Sequence, residues 1–404
     1  MGEIMEEKQM VSEEDIKKAA EDQLKRIEDL SQKIFGKPSK DIKFLLLTNF
    51  IHRQLIEEEI TRTGLYQWLN VFNGEVKYPR DIIDYNKYDI IQINMSPQDL
   101  HEIFEVKKAL GPNTKTKLVV NNDFTSELWQ GNYDFPTVIE QTLLNADMVF
   151  GTEYYQVSAL SELTQRKVYI IPHPADTKRL KSLTPLPKKD ILTCIWRRYD
   201  NFSYVPSLAC RGHGLTTQLI GYEENKDPRV HLTTTLFDFV YGGTNYWDFC
   251  DQMRISKVVY DPFTYHSYSR TTVDTAAMGI PVVGSNRTQS ISICYPYTAV
   301  DPYDVKSARE LIQRLLKDKE FHDLVVKTAL ENVEFYNHTN SKERYLLSLD
   351  DALSNKEENF INSDVPKKEV ETGLGTDVLY NISKMRTKND NKEEELKKKI
   401  QGKG

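Results

Sequence analysis

Short apolar segments alternate with helical patterns along most of the chain, and this alternation restricts the fold more than any other feature. In the first half the expected strands lie at residues 43–48, 89–94, 117–121, 147–151 and 167–171. In the second half they lie at residues 191–196, 229–234, 257–261 and 280–285. Strands that alternate with helices form parallel sheets with right-handed crossovers. The sequence therefore predicts an α/β protein with two Rossmann-like domains that face each other across a cleft.

The segments between and beyond these strands set the expected domain boundaries. A charged amphipathic helix near the N-terminus has apolar residues at spacings of three and four, so it either packs on the following domain or pairs with a partner. A proline-rich segment is expected to link the two domains, and the polar, charged C-terminal tail is expected to be disordered. The expected units are helix 1–40, first domain 41–175, linker 176–190, second domain 191–335, helix 336–353 and tail 354–404.

Composition disfavours several classes of protein. The net charge of -7 gives no overall attraction to nucleic acid or to anionic membranes. The four cysteines form no C-x-x-C pair, so a zinc or redox motif has no support. No apolar run approaches the roughly 18 residues of a membrane span, and the N-terminus lacks a signal-peptide core. These features predict a cytoplasmic protein without an integral membrane segment.

The most informative motif is the segment 260–285, YDPFTYHSYSRTTVDTAAMGIPVVGS. A strand ends at Asp-Pro, a polar loop follows, and a helix begins near Ser269, Arg270 and Thr271. Free backbone N–H groups and the helix dipole make such an N-terminus an anion site, and an arginine there can grip a phosphate. Asp274 lies about one turn further along, where its carboxylate can accept hydrogen bonds from ribose hydroxyls.

This segment resembles the donor-binding segment of GT-B glycosyltransferases. In that family an acidic residue stands five positions before a glycine that precedes x-Pro-Val, and here Asp274 and Gly279 occupy those positions. The family's Glu-x7-Glu pattern places its second acidic residue at Asp274 and its first at His266, where this chain departs from the pattern. The resemblance implies a nucleotide-sugar glycosyltransferase (hexosyltransferase) with a C-terminal donor domain and an N-terminal acceptor domain.

Three arginines are candidates for binding the donor diphosphate. Arg197 and Arg198 follow the first expected strand of the second domain, and Arg211 lies in a glycine-rich turn. GT-B donor sites commonly place cations at such positions, where they stabilise the charge of the leaving diphosphate. The alternative is that these arginines are ordinary solvated surface residues.

Two acidic residues of the first domain are candidates for the acceptor side. Asp123 follows the third expected strand, where a carboxylate can serve as the general base of an inverting transfer. The surrounding segments resemble those of phage DNA β-glucosyltransferases, whose catalytic Asp follows such a strand. Glu153 follows the fourth expected strand and can contact the acceptor. Both residues are also suited to capping a helix or a turn.

The sequence contains no Asp-x-Asp motif, so no metal ion is expected to be required. Arginines and a helix dipole can neutralise the diphosphate instead. No cofactor is expected besides the nucleotide-sugar itself, for which a UDP-sugar is favoured over a GDP-sugar. Dehydrogenase and P-loop ATPase motifs are absent as well.

The acceptor and even the presence of catalysis stay open at the level of sequence. A glycan, a lipid-linked sugar, or DNA with hydroxymethyl-pyrimidines would each fit as acceptor. A DNA acceptor requires a basic surface on the first domain, and Lys107, Lys108, Lys115 and Lys117 are the candidates. A non-catalytic nucleotide-sugar-binding protein and an epimerase with the same fold are the alternatives to a transferase. The sequence does not predict the oligomeric state.

Overall fold

A computed structural model describes most of the two predicted domains. The described residues are 12–48, 64–79, 81–95, 102–122, 140, 142–195, 204–222, 235–242 and 245–354. Within them lie two parallel six-stranded sheets, each with helices packed around it. The predicted α/β architecture is therefore confirmed.

The N-terminal sheet has the strand order β2-β1-β3-β4-β5-β6, with every neighbouring pair parallel. Its order reverses between β1 and β3, so this is the topological switch point of the first domain. The strands are β1 (Phe44–Leu47), β2 (Glu75–Lys77), β3 (Ile90–Met95), β4 (Lys117–Asn122), β5 (Met148–Gly151) and β6 (Tyr169–Ile170). The helices are α1 (Glu13–Phe35), α2 (Gln67–Phe72), α3 (Glu102–Leu110) and α4 (Tyr154–Thr164).

The C-terminal sheet has the order β12-β11-β10-β7-β8-β9 and is also parallel throughout. Its switch point lies between β7 and β10. The strands are β7 (Ile191–Ile195), β8 (Thr216–Tyr222), β9 (Phe239–Gly242), β10 (Val258–Asp261), β11 (Val282–Ser285) and β12 (Ala299–Val300). The helices, beginning in the interdomain segment, are α5 (Thr177–Lys181), α6 (Tyr204–Ser207), α7 (Tyr246–Arg254), α8 (Arg270–Ala277), α9 (Gln289–Cys294), α10 (Val305–Lys317), α11 (Lys319–Asn332) and α12 (His338–Ser354).

The last helix, α12, returns from the second domain and packs on the first. Its Tyr345 is fully buried among the rings of Phe44, Trp68, Phe72 and Phe150. Such aromatic clusters contribute more than their buried area alone because of edge-to-face ring contacts. The C-terminal helix is thus part of the N-terminal core.

Helix α1 packs against α12, which belongs to the core of the first domain. Of the two interpretations of this helix, packing on the following domain therefore describes the structure. Ser12 caps its start with a capping box, and Gly36 ends it with a φ of 68°. Arg26 Nε and Gln23 Nε2 each lie 2.6 Å from the carboxylate of Glu343 on α12. The amphipathic helix is therefore paired with another element of its own chain.

Several elements differ from the sequence-based expectation. The interdomain segment contains α5, whose start is capped by Asp176. Four strands, β2, β8, β9 and β12, were not predicted. β12 and β2 contain only two and three residues, and the seven-residue β8 begins with three polar residues. The strand expected at 229–234 and the tail 355–404 lie outside the described residues.

Candidate functional site

The carboxyl edges of the two sheets face each other. The ring of Tyr155, at the start of α4 beyond β5, contacts the ring of His266, in the loop beyond β10. The ring centroids lie 3.9 Å apart and the ring planes are tilted by 40°. Tyr268 donates a hydrogen bond of 2.9 Å from its hydroxyl to the carbonyl oxygen of His173, beyond β6. In open parallel sheets ligands bind beyond the carboxyl ends of the strands. The candidate site is the cleft between these two edges.

The N-terminus of α8 follows the carboxyl end of β10 on the second domain. Ser269 Oγ accepts from the backbone N–H of Thr272 at 3.4 Å and donates to the carboxylate of Asp261 at 3.1 Å. Ser269 has a φ of 58°, a left-handed backbone conformation that non-glycine residues seldom adopt. Such strained residues cluster at functional sites, where the surrounding structure holds them in place. As predicted, Ser269, Arg270 and Thr271 stand at the start of the helix.

Arg270 and Asp274 form a buried ion pair one turn into α8. Arg270 Nε lies 2.6 Å from Asp274 Oδ1, with side chains 12% and 2% exposed. Burial raises the pKa of Asp274, while Arg270 and a hydrogen bond from Tyr246 act in the opposite direction. Burial lowers the pKa of Arg270, but Asp274, Tyr246 and Tyr268 together raise it by more, so the net shift is upward. With a permanently charged guanidinium at this distance, the pair is ionised.

This ion pair changes the interpretation of Asp274. Arg270 also donates from Nη1 to the carbonyl oxygen of Pro174 in the interdomain segment, at 3.3 Å. The carboxylate of Asp274 is therefore directed at Arg270 and Tyr246 in this structure. The predicted contact of Asp274 with a ribose stays a prediction, and it would require rearrangement of this pair.

His173 has a structural position in the segment between the domains. It is buried, and its Nδ1 accepts a hydrogen bond of 3.2 Å from the indole Nε1 of Trp68. The backbone of Gly64 passes so close that a Cβ there would lie 2.8 Å from the Cβ of His173. These contacts fix the start of the interdomain segment against the first domain.

Glu153 caps α4. Its two carboxylate oxygens accept from the backbone N–H groups of Tyr155 and Gln156, at 2.7 and 2.5 Å, and its side chain is buried. Of the two roles expected from the sequence, the structure shows the capping role. The acceptor contact stays a prediction.

Within the described residues, Arg211 makes no hydrogen bond or ion pair with the start of α8. The turn that contains it leads into Thr216, the first residue of β8, which pairs with Ile191, the first residue of β7. It thus leads into the amino edge of the sheet, whereas α8 follows the carboxyl end of β10. Arg211 itself is exposed, and the neighbouring Gly212 faces Arg309 of α10.

The lysines considered for DNA binding lie away from the cleft as well. Lys117 is the first residue of β4, at the amino edge of the N-terminal sheet. Lys107 and Lys108 are in the last turn of α3, which leads back towards the same edge. Lys107 Nζ is bonded to the side-chain oxygen of Asn145 at 3.0 Å. These residues form no basic surface at the carboxyl edge of the first domain.

Three predicted residues, Asp123, Arg197 and Arg198, lie outside the described residues. The chain positions are still informative, because β4 ends at Asn122 and β7 at Ile195. In the sequence, Asp123 therefore directly follows the carboxyl end of β4, and Arg197 and Arg198 stand two and three residues after the carboxyl end of β7. Their roles stay predictions.

Sequence reasoning missed Asp261 and Tyr155. Asp261 ends β10, is fully buried, and accepts from the hydroxyls of Ser269 and Thr272 at 3.1 Å each. A carboxylate at the end of an apolar strand is a detectable signal. Tyr155 gave no such signal, since its role depends on the approach of the other domain.

No three His, Cys, Asp or Glu side chains in the described ranges are grouped so that they could hold a metal ion. Among the helices that the structure describes, none is both long and apolar enough to cross a bilayer.

Comparison with known proteins identifies the fold. No protein-family model and no curated protein sequence matches the chain. Solved structures do match. A structure described as trehalose-6-phosphate from E. coli bound with UDP-2-fluoro glucose superimposes with a TM-score of 0.60 at 10% identity, covering 76% of this chain and 98% of that one. Anabaena HepE, in complex with UDP and glucose, gives 0.57 at 13% identity, covering 77% and 100%.

A third similar structure is an alpha-glucosyltransferase in complex with UDP-glucose and DNA containing an abasic site. Its TM-score is 0.51 at 14% identity, with 76% of this chain and 98% of that one covered. At such identities the likeness establishes the fold. The chain has the two-domain GT-B fold that the sequence predicted.

Proposed function

We propose that this protein is a glycosyltransferase that moves a sugar from a UDP-sugar to an acceptor hydroxyl in the interdomain cleft. The observation that carries the proposal is the meeting of the two carboxyl edges at Tyr155 and His266, directly beside the strained start of α8. Similar structures of this fold contain UDP, UDP-glucose or UDP-2-fluoro glucose.

The donor diphosphate is proposed to bind at the N-terminus of α8. Ser269, Arg270 and Thr271 offer backbone N–H groups and a helix dipole to an anion. Arg197 and Arg198 would add positive charge from the loop after β7. Asp274 would act mainly by fixing the guanidinium of Arg270 through their buried ion pair.

The acceptor hydroxyl is proposed to lie on the side of the first domain. Asp123 directly follows β4 in sequence and is the proposed general base if the reaction inverts the anomeric centre. It would take the acceptor proton while the diphosphate leaves on the opposite domain. A metal ion is not part of the proposal, because the helix dipole and the arginines supply the positive charge that the leaving group needs.

The test combines calorimetry with UDP and GDP and a UDP-release assay with a panel of UDP-sugars. We expect UDP to bind more tightly than GDP, and UDP release to continue in EDTA. Asp123→Asn should reduce turnover by about 10²–10⁴-fold, the usual contribution of a general base, with donor affinity unchanged. Failure of every uridine nucleotide to bind would refute the proposal, and conversion of the donor to an epimer without transfer would favour the epimerase alternative.

A further inference from the structure

One face of the N-terminal sheet changes from apolar to polar towards the cleft. On this face of β1, Leu46 is followed by Thr48, the residue just after the strand. On β3, Ile90 is followed by Gln92 and Asn94, and on β4, Val119 is followed by Asn121. The other face of the same strands is apolar through Leu47, Met95 and Val120, and it becomes polar only at Asn122, the last residue of β4. Buried parallel strands ordinarily read as continuous hydrophobic runs on both faces. The polar residues are therefore a local feature of the edge that faces the donor domain.

Three of these side chains form a hydrogen-bonded amide ladder, defined here as Gln92, Asn121 and Asn94. Gln92 Nε2 donates to Asn121 Oδ1 at 3.0 Å, and Asn121 Nδ2 donates to Asn94 Oδ1 at 2.9 Å. All three are fully buried. Within the part of the chain that the structure describes, Asn94 Nδ2 and Gln92 Oε1 have no hydrogen-bond partner. The ladder thus ends in a donor at Asn94, its member on β3 nearest the carboxyl edge.

A purely structural role accounts for only part of this arrangement. Hydrogen bonds between amides on adjacent strands can fix strand register, and the central Asn121 satisfies both of its groups in that way. A buried donor without a partner is costly, however, and native proteins keep few of them. The amide of Asn94 therefore calls for a partner that is supplied from outside the ladder.

The location of Asn94 indicates where that partner comes from. β3 borders the switch point of the sheet, where ligands of open α/β folds bind. Asn94 pairs in register with Asn121, which precedes the proposed base Asp123 by two residues. The ladder therefore includes a residue that stands, in the sequence, two positions before the proposed base.

The chemistry of the ladder selects an uncharged ligand. Its members are neutral amides, and the lysines at 107, 108 and 117 lie at or towards the opposite edge of the sheet. A phosphate group would require a cation that the ladder does not offer. Resting on the function proposed above, we infer that Asn94 binds a hydroxyl oxygen of a neutral sugar acceptor, with Asn121 orienting its amide through their hydrogen bond.

The experiment uses the full chain saturated with UDP, with D-glucose and maltose as probes in saturation-transfer NMR. Asn94→Leu removes the free donor and one ladder bond, whereas Gln92→Leu removes one ladder bond and leaves Asn94 in place. The two variants are matched in the damage they do to the ladder. Asn94→Ser is a milder second variant should Asn94→Leu fold poorly. UDP affinity is measured separately by calorimetry on every variant.

We expect at least one of the two sugars to bind, with affinity lowered roughly five- to tenfold by Asn94→Leu or Asn94→Ser, as for loss of one hydrogen bond. Gln92→Leu should bind the sugar as the parent does. Equal effects of both substitutions, or none, would assign the ladder a structural role and overturn the inference. Absence of sugar binding to the UDP-loaded parent, or binding of a DNA duplex that depends on Asn94 instead, would also overturn it. Failure of the unsubstituted protein to bind UDP would refute the proposed function itself.

Discussion

The buried ion pair of α8 leads to a prediction with a defined magnitude. At the 2.6 Å separation of Arg270 Nε and Asp274 Oδ1, the gross attraction is about 6 kcal/mol for an effective dielectric constant of about 20. Asp274→Ala removes the carboxylate and leaves the guanidinium buried, with its hydrogen bond to the carbonyl oxygen of Pro174 in place. Removing one member of a buried pair costs about 3–5 kcal/mol, and the partial exposure of Arg270 favours the lower end.

The corresponding change in melting temperature is large enough to measure. A loss of about 3 kcal/mol in a domain of this size lowers Tm by roughly 6–12 °C. Asp274→Asn keeps an oxygen for Arg270 and should lose less. The double variant Arg270→Met, Asp274→Leu replaces both charges by apolar groups and should recover most of the stability. Differential scanning calorimetry with and without UDP measures all three.

One result would refute this reasoning. If Asp274→Ala melts within about 2 °C of the parent while its UDP affinity falls at least tenfold, the carboxylate faces the nucleotide in solution. The ribose contact predicted from sequence would then be correct, and the ion pair would be a feature of the ligand-free state only.

Three further predictions follow from other contacts. Tyr155→Ala or His266→Ala should remove about 0.5–1.5 kcal/mol of ring contact between the domains. Each variant should have a larger radius of gyration by small-angle scattering and slower turnover, whereas the control Tyr154→Ala should change neither. An unchanged radius in both variants would show that this contact does not hold the domains together. Burial lowers the pKa of His338, whose Nε2 lies 2.8 Å from Gln67 Oε1. Because the folded state resists protonation of this imidazole, the free energy of unfolding should decline as pH drops below about 6.5. His338→Gln should reduce that decline in melts between pH 7.5 and 5, and an identical decline would exclude this histidine as its cause. A chain ending at Asn355 keeps all of α12 and should melt within about 2 °C of the full chain, and aggregation would show that the tail contributes to folding.

The periodicity of the sequence determined most of the fold. Apolar runs such as 43–48 and 117–121 became central strands because burial on both faces of a parallel sheet leaves a continuous hydrophobic signature. The capped helix α1 and the turn at Gly279, with a φ of 66°, were likewise predictable, since caps and left-handed turns depend on local chemistry. The edge strands β2 and β12 were missed because two or three residues carry no measurable period.

The sequence also indicated the start of α8 as a candidate anion site, but not the partners of its side chains. In this structure Asp274 lies against Arg270 and Tyr246, and its contact with a ribose stays a prediction, while Glu153 caps α4. Arg211 seemed close to the site in sequence, yet its turn leads into the amino edge of the sheet. Which groups meet across a cleft depends on strand order and on the path of the chain between domains. A residue's own neighbours specify its secondary structure, whereas contacts such as Tyr155 with His266, or Tyr345 with the N-terminal core, join residues more than a hundred positions apart and arise only when the domains pack.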